Sequence, residues 1–310
     1  MRILFQITVI FCVLLGFGAA KLGCEDRLNQ DMVEARLIQP PLREGTSLQL
    51  GQTGAAVALG GLRSLVASIW NLRAFLHFEN LDWIKLEQSY DIITTLQPQT
   101  TYYWDTGAWH LHTNASVFYK ENKELSPIRR SSMRMQYIKK GSALLEEGAR
   151  LNPDNWNLHL ALARVWSDHH KVPDLTRALH HYEDTLACDT VPGFKRTQLE
   201  REAFYTMTRV QSRKSDALAL GHRLFNLTTK NHTPNLVCCI FALQNSLNTS
   251  EADRIPEAKL FPNEKLQLIG LRNYFDHRGQ DYPMTGVRTK IDTLEKKQSP
   301  SKDAEAPTMR

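Results

Sequence analysis

Histidine is the residue type in this chain best suited to chemistry, and there are eleven of them. An imidazole binds transition metals and moves protons near neutral pH. His110 and His112 stand two apart, which sets them on different sides of a helix, where they share one metal poorly. His169-His170 ends one run of helical periodicity, and His180-His181 lies on the next helix of the same hairpin. A three-His zinc site across that hairpin, between His169 and His181, is the alternative reading: a metal-binding or enzymatic protein. No His-Glu-x-x-His or similarly spaced pair supports it, and a histidine near a helix C-terminus is already favoured by the helix dipole. The reading adopted has no metal, no cofactor and no catalysis.

Other reactive constellations are thinner still. Gly60-Gly61 lacks the Walker lysine and the Gly-x-Gly-x-x-Gly spacing, and no Gly-x-Ser-x-Gly motif is present. Of five cysteines, Cys12 lies in the leader, which leaves Cys24, Cys188, Cys238 and Cys239. An even count permits disulfides in an exported protein. Cys238 and Cys239 are adjacent on a predicted helix, so buried thiols are the simpler reading. No Cys-x-x-Cys pair exists for a zinc ribbon or a thioredoxin-type site. A formal charge of +5, with no basic cluster interleaved with aromatics, argues against nucleic acid. Trp104 and Trp109 offer an aromatic cage, or one core ring (Trp104) and one surface ring (Trp109). Asn-x-Ser/Thr sequons begin at Asn114, Asn226, Asn231 and Asn248 and accept glycans only in a eukaryotic secretory pathway.

The elements that carry these residues are helices. Helix formers dominate, and alternating β-branched runs are scarce beyond the first twenty residues, so the class is all-α. Met1-Arg2 followed by the uncharged Ile3 to Ala20, with small residues at Gly18-Ala19-Ala20, reads as a signal peptide or an N-terminal membrane anchor over 1–20. Lipidation at Cys24 is a third route, and each of the three carries the globular part across a membrane. Residues 21–52, with Pro40-Pro41, read as a linker or irregular segment. Thr53 to Glu79 has Leu65, Ile69, Leu72 and Leu76 on one stripe. From 281 to 310 the chain reads as a polar, disordered tail.

Two Leu-x-Pro steps, Leu96-Gln97-Pro98 and Leu151-Asn152-Pro153, each end a helical run, because proline cannot continue one. Counting back twelve, eight and five from Pro98 gives Leu86, Tyr90 and Ile93; from Pro153 it gives Gly141, Leu145 and Gly148. Counting forward nine, ten and thirteen gives Gly107, Ala108 and Leu111, then Leu162, Ala163 and Trp166. Farther on, Ala178, Tyr182 and Thr185, then Ala217, Gly221 and Leu224, continue the series. This pattern resembles the tetratricopeptide repeat, in which small residues let helices touch and an aromatic fills the space between hairpins. Residues 57 to 172 also resemble an uncharacterised group of exported or membrane-anchored bacterial tetratricopeptide proteins. The resemblance rests on Leu59-Gly60-Gly61-Leu62-Arg63, Leu96-Gln97-Pro98, Trp104, and Trp109 to Asn114. Leu62 stands where that group has an aromatic, and His110 where it has Asn.

The resemblance implies a tetratricopeptide-like α-solenoid of antiparallel hairpins over 53–280 and no catalytic residues. It implies an exported scaffold, periplasmic or on the cell envelope, that holds a protein or peptide on a concave face of first helices. In this register Thr100 to Tyr119 and Asn155 to His169 are first helices. The polar and aromatic residues there that packing does not claim are Tyr103, Trp109, Asn114, Asn157 and Arg164, the expected partner-binding set. Trp166, at the aromatic offset, is expected in the core.

Overall fold

The computed structural model describes residues 61–278 and 281–298, together with 21, 25–35, 38, 50 and 51. The leader at 1–20 and the lipidation position Cys24 lie outside the described residues. Among the described residues there are helices, turns and loops and no β-strand. No described helix is long and apolar enough to cross a membrane. The chain forms two compact units, Met1–Leu151 and Asn152–Arg310.

In the first unit, α1 (Arg63–Glu79) packs on α2 (Trp83–Leu96). The turn between them closes α1 with Asp82 N–H donating to the His77 carbonyl and Leu81 N–H to the Phe78 carbonyl. This closure needs a left-handed residue at its centre, and Leu81 supplies it at φ 56°. A leucine there carries a Cβ clash that glycine lacks. Leu81→Gly is therefore expected to stabilise the unit by about 0.5–1 kcal/mol, read as a raised melting temperature. Asp82 then caps α2 by accepting the Lys85 N–H at 3.2 Å.

After Pro98 the chain runs through α3 (Thr101–Trp109), a π-helical segment (His110–Ala115) and α4 (Ser116–Glu121). It turns at 122–126 into α5 (Pro127–Leu151). Pro127 is the first residue of α5, where its missing N–H costs nothing. Helix α5 packs along α3, the π segment and α4. It comes so close at Gly141 that a Cβ there would lie 2.7 Å from the Ala108 carbonyl oxygen and the His112 backbone nitrogen. Trp104 is fully buried, and its Nε1–H donates to the Pro98 carbonyl at 2.8 Å. Its ring lies against Gly148.

The second unit runs α6 (Trp156–Ser167), α7 (Leu175–Ala187), α8 (Gly193–Met207), α9 (Lys214–Leu227), α10 (Pro234–Ser246), α11 (Glu257–Leu260), α12 (Glu264–His277) and α13 (Val287–Gln298). Asn155, Asp174, Thr233 and Asn263 each accept a backbone N–H from the first turn they precede. Helix α10 is buried on all sides from Leu236 to Gln244, so it forms the centre of the larger core. Cys238 and Cys239 are free thiols within it, and burial pushes both up to about 12. Cys239 Sγ sits 3.4 Å from the Tyr274 hydroxyl, which donates to the Pro283 carbonyl.

Three expectations are corrected. Within the stretch read as irregular, residues 25–34 are helical. Within the stretch read as a disordered tail, Val287–Gln298 is helix α13, held by Val287, Ile291 and Leu294 buried on one stripe. Helical structure therefore continues past the expected domain end at 280. Trp166 is half-buried rather than in the core: the Arg177 guanidinium lies over its ring at 4.1 Å, and its Nε1–H finds no partner.

Candidate functional site

Helix α1 turns its small residues inward. Val66, Ala67 and Ala74 are buried, and Ala67 and Ala74, about two turns apart on one side, let α2 approach closely. The large stripe Leu65, Ile69, Leu72 and Leu76 consequently faces outward, with Leu72 68% exposed and Leu62 and Phe75 exposed beside it. A helix apolar on both faces has one face more than its own unit uses. Between α1 and α2 a cleft of about 530 Å³ continues this surface. Trp70, Leu76 and Ile92 form its apolar lining; Arg73, His77 and Lys85 supply positive or protonatable groups. Arg73 stacks on Trp70 at 5.0 Å, and Lys85 pairs with Asp82 at 2.8 Å.

The five expected partner-binding residues fall in both units. Tyr103 is half-buried against the first core. Trp109 is 48% exposed, its ring 5.2 Å from that of His110. Asn114 is half-buried in the π segment and donates to His110 Nδ1 at 3.0 Å, while burial lowers the pKa of His110. These three belong to the first unit, Asn157 and Arg164 to the second. Asn157 is exposed on α6. Arg164, taken from the sequence as unclaimed by packing, makes a bidentate pair with Glu202 of α8, both contacts at 2.9 Å. Asn231, a sequon asparagine, is also claimed: buried, it accepts from Arg201 and donates to the Leu224 carbonyl.

The histidines are arranged differently from the expected hairpin site. His169 and His170 are exposed, their rings tilted toward each other with centroids 3.8 Å apart. His181 of α7 instead meets His159 of α6, with ring centroids 5.8 Å apart. Asp184, one turn beyond His181, reaches between them. Its Oδ2 lies 3.4 Å from His159 Nδ1 and 3.6 Å from His181 Nδ1. Both Nδ1 atoms are buried and make no hydrogen bond. His159 Nε2 is 2.9 Å from the Pro153 carbonyl, to which it donates. Burial, and then the neighbouring His159, lowers the His181 pKa to about 4. The His-x-x-Asp spacing of His181 and Asp184 was readable in the sequence. The third member, His159, comes into place through the packing of α6 on α7.

No protein-family model matches the chain, and no curated protein matches it.

Proposed function

We propose that the chain is an exported, tetratricopeptide-like scaffold that holds a protein partner at the cell envelope and carries out no catalysis itself. The observation that carries the reading is the outward apolar stripe of α1. A contiguous exposed patch of large apolar side chains is the usual mark of a protein-binding surface. The adjoining cleft, with Arg73, His77 and Lys85, suits a partner segment that brings carboxylates beside its apolar anchors. Trp109 and Asn114 extend the candidate contact residues of the same unit.

Serial packing supports the repeat part of this reading. In the second unit each long helix from α6 to α13 packs on the next long helix in sequence, the pattern expected of a solenoid. Three glycines of the proposed register each take an aromatic ring against them, at three different offsets: Gly107 takes Tyr90, Gly148 takes Trp104 and Gly221 takes Phe204. Export rests on the uncharged run from Ile3 to Ala20.

The test is the double variant Leu65→Asp, Leu72→Asp in the full chain. Both side chains point away from the unit, so helical content by circular dichroism and the melting temperature should stay within about the spread of ordinary surface substitutions, ±0.5 kcal/mol each. Capture of crosslinked native partners should be lost, and Trp109→Ala should weaken it. A variant that unfolds would show that the stripe is covered by this chain itself. Unchanged capture would remove α1 as the docking face.

A further inference from the structure

We infer that His159, His181 and Asp184 are the protein ligands of a divalent transition-metal site of the zinc class, with a fourth position open to the adjoining cleft. Their candidate ligand atoms all lie within 4.8 Å of one another. The two Nδ1–Oδ2 separations, 3.4 and 3.6 Å, are close to the edge of a zinc tetrahedron. Ligand bonds of about 2.0–2.2 Å give such an edge a length of roughly 3.3–3.6 Å. Two imidazoles and one carboxylate suit Zn²⁺ and its borderline neighbours better than Ca²⁺ or Mg²⁺, which take oxygen cages.

The supporting contacts have the form a metal site needs. His159 donates its Nε2–H to the Pro153 carbonyl, which fixes the tautomer and leaves the Nδ1 lone pair toward Asp184. His181 and Asp184 stand three apart on α7, one turn on the same side. A buried ring nitrogen without a partner is costly, and here two of them face one carboxylate. A proton placed in the cluster satisfies one nitrogen; a metal ion satisfies both nitrogens and the carboxylate. His180 also approaches Asp184, at 3.7 Å, but its side chain is largely exposed.

The cleft beside the cluster measures about 540 Å³ and includes Asp154 and Asp189, which favour a cation there. Three ligands and an open side match the coordination of zinc that keeps a water or takes a ligand from a bound molecule. This assignment is independent of the α1 docking face.

Calorimetric titration of Zn²⁺ into the full, untagged chain after chelator treatment tests it. One ion per chain is expected. His159→Ala, His181→Ala and Asp184→Asn should each weaken binding by at least about tenfold, the low end of the cost of losing even an outer-sphere partner. The double variant His169→Ala, His170→Ala should bind as the parent does. Bound Co²⁺ should show the visible absorption of a low-symmetry site in the parent and lose it in His181→Ala. Circular dichroism identifies any variant that fails to fold, and the parent titration decides the matter without them. Absence of stoichiometric binding, equal affinity in the folded ligand variants, or loss in the His169/His170 control overturns the site.

Discussion

Trp104→Ala is expected to destabilise the first unit by about 3–5 kcal/mol, the range for removing a large buried aromatic. The ring has no exposed surface, and its Nε1–H is spent on the carbonyl of Pro98, the residue that ends the α2 run. Truncation leaves a cavity against Gly148, where the chain has no side chain to fill it. It also removes the hydrogen bond that the indole donates to the Pro98 carbonyl. Denaturant unfolding followed by circular dichroism should show the first transition moved to markedly lower denaturant. Trp104→Phe keeps most of the packing and loses the donor, so its cost should fall between the parent and Trp104→Ala. Unchanged unfolding in Trp104→Ala would mean that this ring does not join α3 to α5.

Gly141→Ala should rank next. The added methyl would meet the Ala108 carbonyl oxygen and the His112 backbone nitrogen at 2.7 Å. Those atoms belong to a helical backbone and cannot swing aside as a side chain can. Overpacking of this kind costs about 1–3 kcal/mol, occasionally more, against a gain of about 1 kcal/mol from replacing glycine within a helix. A net loss of up to about 2 kcal/mol is expected, with α5 forced away from the π segment. A stabilised Gly141→Ala would show that the two helices are farther apart than this contact requires.

The repeat offsets made much of the core legible. Leu86, Tyr90, Ile93, Gly107, Ala108, Leu111, Leu145, Leu162 and Ala163 are placed by spacing from two prolines, Ala178, Tyr182 and Thr185 by the series that follows, and all are inside. Offsets report which residues share a side of a helix, not what lies opposite. That is why Leu65, Ile69, Leu72 and Leu76 could be seen as a stripe while their outward direction could not. It is also why Trp166, at a core offset, was not recognisable as half-buried under Arg177. Helix α13 escaped notice because only Val287, Ile291 and Leu294 carry its apolar pattern among many lysines and threonines. Arg164 looked unclaimed because its partner, Glu202, lies two helices away. His159 could not be joined to His181 and Asp184 without knowing that α6 and α7 bring those turns together.

The most direct test of the partner-binding account is site-specific photo-crosslinking in intact cells. A photoreactive residue at position 72 places the reagent on the outward stripe of α1; one at position 194, where Phe194 is 83% exposed on the second unit, serves as the control. The account predicts a discrete adduct with another protein from position 72 and none from position 194. No protein adduct from position 72, or the same adducts from both positions, would contradict it.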